Sequence, residues 1–442
     1  MRMLLKAATG AIAAAAFAVL SVAPAHAGPT VGESGSTMTG HIGMAHSISA
    51  TPGAAPAEGA GAQTEGTLRV ATFNASLYRE REGELARDLS TGDDQAQAVA
   101  EIIQRTAPDI VLLNEFDYDE SGESAEVFRD GYLAVSQNGQ PAQDYPYLYV
   151  AASNTGLQTG ADLNQDGTVG GPDDAYGYGE FEGQYGMVLY SKHPILTDQV
   201  RTFQNFRWQD MPGNLLPTDY YGPLVSGMLR LSSKNHWDVP VSVDGRTLHV
   251  IAAHPTPPAF DGEEQRNARR NHDEIRFIAD YVSGGSAAEY IYDDDGATGG
   301  LPADADFVIL GDLNADPNRG DSYDNAAEHV TGHPLVTDPE PRRTPLPAQE
   351  RGGLGRYLEL PGTSSGAADA GSDPSRMLGT ADFGSETGTL RVDYVLPSKT
   401  LVVAGSGIFW PNPGQPGSQL VAMDPPRSSD HWLVWADVRT AS

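Results

Sequence analysis

Six short polar clusters, each at an end of an apolar strand-like run, hold the residues of this chain best suited to doing chemistry together. In chain order they are Thr72-Phe73-Asn74, Asn114-Glu115, Ala253-His254-Pro255, Gly311-Asp312-Leu313-Asn314, Val392-Asp393-Tyr394 and Ser429-Asp430-His431. They offer carboxylates and amides suited to a hard metal ion, two histidines, and a carboxylate placed to orient one of them. Phosphoester hydrolysis needs that inventory. The phosphoryl group is anionic, so a catalyst must neutralise charge, place a water in line and stabilise the leaving oxygen.

Glu115 follows the apolar run Ile110-Val111-Leu112-Leu113, and Asn74 closes another strand-like run. An amide beside a carboxylate suits Mg²⁺, which takes a few protein oxygens and keeps several waters. Asp430 could reach the same ion. Asp312 and Asn314 lie two residues apart after Phe307–Leu310, so strand alternation puts them on one face. There they could hold or deprotonate a water and touch a phosphoryl oxygen; an Asx turn is the competing reading. His431 can take a proton from water if a carboxylate fixes its tautomer, and Asp393 is the candidate orienter. His254 ends the run Leu248–Ala253 and could donate to the phosphoryl group. Taken singly, each residue also has a plain structural reading as a turn amide, a solvated charge or a core histidine.

The elements that must position these groups are visible as periodicity. Leu68 to Phe73 alternates like a strand, and Ala98, Val99, Ile102 and Ile103 recur at helical spacing within Asp94–Arg105 before Pro108. Further strand runs are Tyr185–Tyr190, Leu248–Ala253, Phe307–Leu310, Val392–Leu396 and Trp432–Val438, and Asp273–Val282 is a second helix. Strands and helices mix without strict alternation, which predicts packed sheets flanked by helices. Segments near 153–184, 284–304 and 316–390 read as insertions within a catalytic domain spanning 67–442. Residues 28–66 read as a flexible linker rich in Gly, Ala, Ser, Thr and Pro. Residues 1–27 read as a signal peptide: Arg2 and Lys6, an apolar stretch from Ala7 to Val22, then Ala25-His26-Ala27 for cleavage. The mature protein is therefore expected to be exported, secreted or periplasmic, and no other stretch is apolar enough to span a bilayer.

Composition narrows the partners. The chain has 28 basic and 59 acidic residues, a net charge of −31, and no cysteine. Its lysines are Lys6, Lys192, Lys234 and Lys399 alone. Such a surface repels polyanions, so nucleic acid is a disfavoured partner unless a local cleft overrides the average. Without disulfides an exported chain depends on core size, bound metal, or both.

Taken together, the clusters resemble the endonuclease/exonuclease/phosphatase superfamily over roughly residues 67–438, with Gly-Asp-Leu-Asn and Ser-Asp-His the most specific motifs. The resemblance implies an α/β (α+β) deoxyribonuclease-I-like fold, a four-layer sandwich of two mixed β-sheets flanked by helices, with the site where strand ends of both sheets converge. It assigns Asn74, Glu115 and Asp430 to Mg²⁺ (or Mn²⁺), and Asp312 and Asn314 to the attacking water and phosphate. His431, oriented by Asp393, and His254 would flank the phosphoryl group, with His431 and Asp312 both eligible as the base. Two departures point away from a dedicated endonuclease: the rigid Pro255-Thr256-Pro257-Pro258 segment, and the lack of a Lys/Arg-rich loop.

Outside the clusters, Asp162, Asn164, Asp166 and Asp173 fall at positions 1, 3, 5 and 12 of a loop with Gly167 at position 6. This resembles the calcium loop of EF-hands and dockerins. An acidic surface turn is the plain alternative. Arg266, Arg269 and Arg270 could hold a substrate phosphate, although pairing with Glu263, Glu264, Asp273 and Glu274 is favoured. Trp208, in the loop from Phe206 to Pro212, is expected to be packed rather than to line a pocket. The expected function is a secreted metal-dependent phosphoesterase acting on small or accessible phosphate mono- or diesters. The alternatives are an extracellular nuclease and, in another class, a non-catalytic calcium-stabilised binding module.

Overall fold

Apolar runs bounded by the polar clusters become strands, and the clusters gather at one place. Asn74, Glu115, His254 and Asp312 lie toward the C-terminal ends of their strands, whereas Asp393 opens the strand Asp393–Pro397, and Asp430 and His431 precede the strand Val434–Thr440. The computed structural model describes residues 63, 66–341, 378–422 and 426–440. The expected signal peptide, nearly all of the expected linker and the middle of the third insertion lie outside the described residues.

In chain order the first half forms β1 (Leu68–Leu77), α1 (Glu84–Thr91), α2 (Asp94–Thr106), β2 (Ile110–Phe116), α3 (Glu123–Phe128), β3 (Tyr147–Tyr149), β4 (Met187–Ser191), β5 (Arg201–Thr202) and α4 (Thr218–Ser226). The second half forms β6 (His236–Val243), β7 (Arg246–Ala253), α5 (Arg266–Ser283), β8 (Asp306–Asp312), α6 (Glu328–Thr331), β9 (Ala381–Asp382), α7 (Gly384–Thr387), β10 (Thr389–Leu390), β11 (Asp393–Pro397), β12 (Leu401–Ile408) and β13 (Val434–Thr440).

Two mixed sheets carry the fold, one ordered β12-β13-β1-β2-β4-β3 and the other β11-β8-β7-β6-β5. Each contains one parallel pair, β1 with β2 and β7 with β8. Strand alternation explains the layering. Val250, Ala252, Val308, Leu310 and Val395 face a core shared with the first sheet. Their neighbours Ile251, Ala253, Phe307, Ile309, Tyr394 and Leu396 face the opposite way, into a second core with Ile275, Ile278 and Val282 of α5. On the first sheet, α2 lies against β1 through its Ala98, Val99, Ile102 and Ile103 stripe. Helix, sheet, sheet, helix is the four-layer order expected.

The helix from Asp94 starts where expected because Asp93 caps it, accepting from the Ala96 amide at 2.7 Å. Helix α5 begins at Arg266, seven residues before the helix expected from apolar spacing. Its first two turns bury polar side chains, Arg270 and Asn271 among them, and so lack an apolar signal. Strand β6 was not expected at all. It contains Asp238 and Pro240, and Pro240 lies beyond the two-residue β5 that pairs only with Trp237 and Asp238.

Candidate active site

The C-terminal ends of the parallel pairs β1–β2 and β7–β8 meet, and two buried asparagines sew them together. Asn74 and Asn114 are in register on β1 and β2. The Asn74 amide donates to Asp312 Oδ2 at 3.0 Å. Asn114 accepts from the Asp312 backbone N–H at 3.1 Å and donates to the Ala253 carbonyl at 3.4 Å. Asn74 therefore ties β1 to β8, and Asn114 alone links three strands, β2, β7 and β8. Asn114 stood in a sequence cluster, yet nothing in the sequence marked it as the bridge.

Asp312 is the centre of the site. It is the last residue of β8, is in register with Asp393 on β11, and is 1% exposed. Its Oδ1 accepts from the Asn314 backbone N–H at 2.9 Å, and Asn314 takes a left-handed φ of 53°. The strand ends at Asp312, so an Asx turn rather than strand alternation brings Asn314 to the cleft. The turn is the means of placing the side chain, not a competitor to it.

His431 Nδ1 bonds Asp393 Oδ2 at 2.9 Å, as expected of the orienting pair. Its Nε2 lies 3.8 Å from Asp312 Oδ2, and His254 Nε2 lies 3.6 Å from the same oxygen. Burial pulls the His431 pKa down, but the carboxylates of Asp393 and Asp312 outweigh it and raise it well above the usual value. Burial also raises Asp312, against the pull of His431. Burial holds His254 well below its ordinary value, reinforced by Lys234 and His431, so His254 is neutral. Thr380, which the sequence reading did not single out, sets the pair: its hydroxyl accepts from the Val392 and Asp393 amides, each at 2.9 Å, and its carbonyl accepts from Trp432 N–H at 2.7 Å.

Glu115 and Asp430 form the other half. Glu115 is half-buried with a φ of 56°. Burial raises its pKa; the Asn74 hydrogen bond and His431 oppose this, and the Asp430 charge adds to it. Asp430 accepts from the Ser76 hydroxyl at 3.3 Å. Among the described residues neither carboxylate makes an ion pair, although the charges of His431 and Lys234 reach Glu115, so two neighbouring carboxylates lie beside an amide. An all-oxygen donor set of this kind fits a hard divalent ion. Asp312, Asp393 and His431 also bring ligand atoms within 4.8 Å of one another. That second group is internally hydrogen-bonded through the His431–Asp393 contact, and its geometry suits proton handling better than an open cage.

These groups floor a cleft of about 850 Å³ whose walls include Tyr78, Tyr178, Lys234, Arg266, Arg319 and Phe383. Backbone strain concentrates there. Ser76, Glu115, Tyr185, Phe260 and Asn314 line the cleft and all have positive φ without being glycine. Each such residue costs roughly 1–3 kcal/mol.

Elsewhere the sequence expectations divide. Asp162, Asn164 and Asp166 are brought together: Asp162 accepts from the Asp166 and Gly167 amides at 3.1 and 2.9 Å, and Asn164 accepts from Asp166 at 3.1 Å. Asp173 is not part of this group. It is exposed and lines the main cleft, while Asp174 is buried and accepts from Leu163 and Gly170 amides at 2.6 and 2.8 Å. The short helical turn after Pro172 shifts the inward position by one residue. The calcium expected at this loop has a thermal test: Asp166→Ala should lower Tm in added calcium and leave it unchanged in chelator. Equal Tm shifts in both buffers would remove the site.

The arginine segment also departs from expectation. Among the described residues Arg270 makes no carboxylate pair; it donates to the carbonyls of Arg230, Leu231 and Ser232 at 3.0, 2.7 and 2.9 Å. Arg266 lies at the cleft and reaches the Asp173 carbonyl at 3.4 Å. Trp208 is fully buried, donating to Asp273 at 2.7 Å, as its packed reading required.

A sequence model of the Endonuclease/Exonuclease/phosphatase family matches residues 71–431. No curated protein gives a significant match. Among solved structures, the chain is similar to an endonuclease/exonuclease/phosphatase from Beutenbergia cavernae DSM 12333, at 17% identity and a TM-score of 0.44, covering 85% of this chain and 72% of that one. It is similar to a family protein from Leptotrichia buccalis C-1013-b at 13% identity, TM-score 0.43, covering 84% and 99%. A sphingomyelinase C from Streptomyces griseocarneus matches at 16% identity, TM-score 0.38, covering 84% and 99%.

Proposed function

Because this chain belongs to the endonuclease/exonuclease/phosphatase family, we propose that it is a divalent-cation-dependent phosphoesterase acting on small or accessible phosphate mono- or diesters. One arrangement supports this most directly: a buried carboxylate, Asp312, facing the Nε2 atoms of His254 and His431 at 3.6 and 3.8 Å on the floor of an open cleft. Those gaps exceed hydrogen-bond length, so both Nε2 atoms, and Asp312 Oδ2 beyond the one bond it accepts from Asn74, can contact a water and phosphoryl oxygens.

In this reading Glu115, Asp430 and the Asn74 amide oxygen hold the cation, with Mg²⁺ or Mn²⁺ the ions that suit oxygen ligands. The ion, when bound, supplies charge neutralisation at the phosphoryl group. Asp312, whose carboxyl burial pushes up, takes the proton of the attacking water. Asn314 orients that water and a phosphoryl oxygen. His431, kept protonated by Asp393 and Asp312, stabilises the charge that develops on the phosphoryl oxygens. His254 is neutral, and its Nδ1 is buried without a partner among the described residues, so the proton belongs on Nε2, where it donates into the cleft.

The net charge of −31 favours a small ester over duplex nucleic acid. The arginines at the cleft, Arg266 and Arg319, favour the second reading, an extracellular nuclease. In both readings the protein is exported after cleavage near Ala27. The test is hydrolysis of p-nitrophenyl phosphate, bis-p-nitrophenyl phosphate and duplex DNA in Mg²⁺, with His431→Ala as control. Turnover of the small esters, lost in the variant, is the expected result. Dominant DNA cleavage would shift the reading to the nuclease, and equal inertness of both proteins would leave a binding module.

A further inference from the structure

Lys234 is 6% exposed, and its side chain lines the cleft beside Glu115, His254, Asp312 and His431. Its ammonium has no hydrogen-bond or ion-pair partner among the described residues. Burial pulls its pKa down, while Glu274, Glu115 and Asp312 oppose that pull and Arg270 adds to it. A desolvated cation without a partner is costly, and folds seldom keep one except where a ligand completes it.

The backbone that carries Lys234 is fixed on two sides. Asn154, from the first insertion, donates its backbone N–H to the Lys234 carbonyl at 2.8 Å and its amide to the Ser232 carbonyl at 2.9 Å. From α5, Glu274 accepts the Ser233 N–H at 2.8 Å through Oε1. Its other oxygen accepts the Thr256 N–H at 2.7 Å, two residues beyond His254. Glu274 and Asn154 are both 0% exposed. One buried carboxylate therefore sets the segments bearing Lys234 and His254 at once.

We propose that Lys234 is a catalytic residue that binds a phosphoryl oxygen of the substrate, and that Glu274 is the positioning residue that holds it there. This rests on the phosphoesterase reading. An ammonium is a compact point charge that matches one oxygen of a phosphate, and the contact is strengthened by the low-dielectric floor of the cleft. The first insertion is then part of the active site's support rather than a surface appendage.

The experiment compares wild type, Lys234→Met, Glu274→Gln and the double variant in Mg²⁺. It measures hydrolysis of bis-p-nitrophenyl phosphate and calorimetric binding of inorganic phosphate. Lys234→Met should lower kcat/KM about 10- to 100-fold and weaken phosphate binding by a similar factor. Its Tm should be unchanged or higher, since a buried charge has been removed. Glu274→Gln should lower both quantities, and the double variant should lose little more than Lys234→Met alone. Additive losses would reduce Glu274 to a structural residue and overturn that half. Phosphate binding equal in wild type and Lys234→Met, or undetectable in wild type, would overturn the proposal whatever the turnover. A wild type that binds phosphate through Lys234 yet hydrolyses none of the esters would instead overturn the phosphoesterase reading.

Discussion

Replacing Asp312 by Asn is expected to lower kcat by about 10²- to 10⁴-fold, the range for removing a positioned proton acceptor. The same change should alter how stability depends on pH, which separates a buried titrating group from a generic loss of fit. In the metal-free protein burial raises the Asp312 pKa above its ordinary value. The folded state then binds a proton more tightly than the unfolded one. That contribution to stability is fully present below the unfolded pKa, about 3.9, and is lost as pH rises through the raised value. Asn does not titrate, so this fall should disappear from a plot of Tm against pH in chelator. His431 has the same sign. Its raised pKa contributes stability below about pH 6.5 that is lost at more alkaline pH, and removing one of its two carboxylate neighbours should move that loss to lower pH. Retained turnover, or a Tm profile identical to wild type, would remove Asp312 from the centre of the mechanism.

The second large effect is expected at Gly311, where the change is steric rather than chemical. Gly311 has a φ of 152°, and an added Cβ would sit 1.9 Å from the Ala253 carbonyl oxygen. That oxygen belongs to the backbone of the adjacent strand β7 and already accepts from Asn114. Nothing flexible can move aside. Gly311→Ala must push β8 away from β7 at the point where Asp312 and His254 face each other, or take up a strained φ. We expect destabilisation of more than about 3 kcal/mol, within the group of large point-mutant effects that backbone strain and overpacking produce. Chemical denaturation of the variant measures it. A loss below about 1 kcal/mol would mean that the two strands do not approach so closely.

Gly311 also shows where a sequence motif stops being informative. In Gly-Asp-Leu-Asn the polar residues read as the chemical part, and nothing in the sequence assigned the glycine a part. In the structure the glycine is the narrowest point between two strands, and the Asp depends on it. Glu115 makes a similar point. Its position after an apolar run was legible, but its left-handed backbone, with a φ of 56°, was not.

The fold class and six clusters were legible because apolar alternation is local and each strand end carries its own residues. Helix α5 was legible, but the burial of Arg270, Asn271 and Glu274 on it was not, since these side chains are held by hydrogen bonds to backbone from other elements. The one-residue shift from Asp173 to Asp174 has the same origin, because a short turn after Pro172 decides which carboxylate faces inward.

Sequence alone thus determined which residue types stand at the ends of which strands, and hence the class of chemistry they favour. Residues far apart in the chain were joined only by the tertiary structure: Asn74 to Asp312, Asn114 to Ala253, Glu274 to Ser233 and Thr256. The physical reason is range. Periodicity reports burial along one element, whereas a polar side chain satisfied by a distant backbone leaves no periodic trace, and a lysine is read as solvated until the walls around it are known.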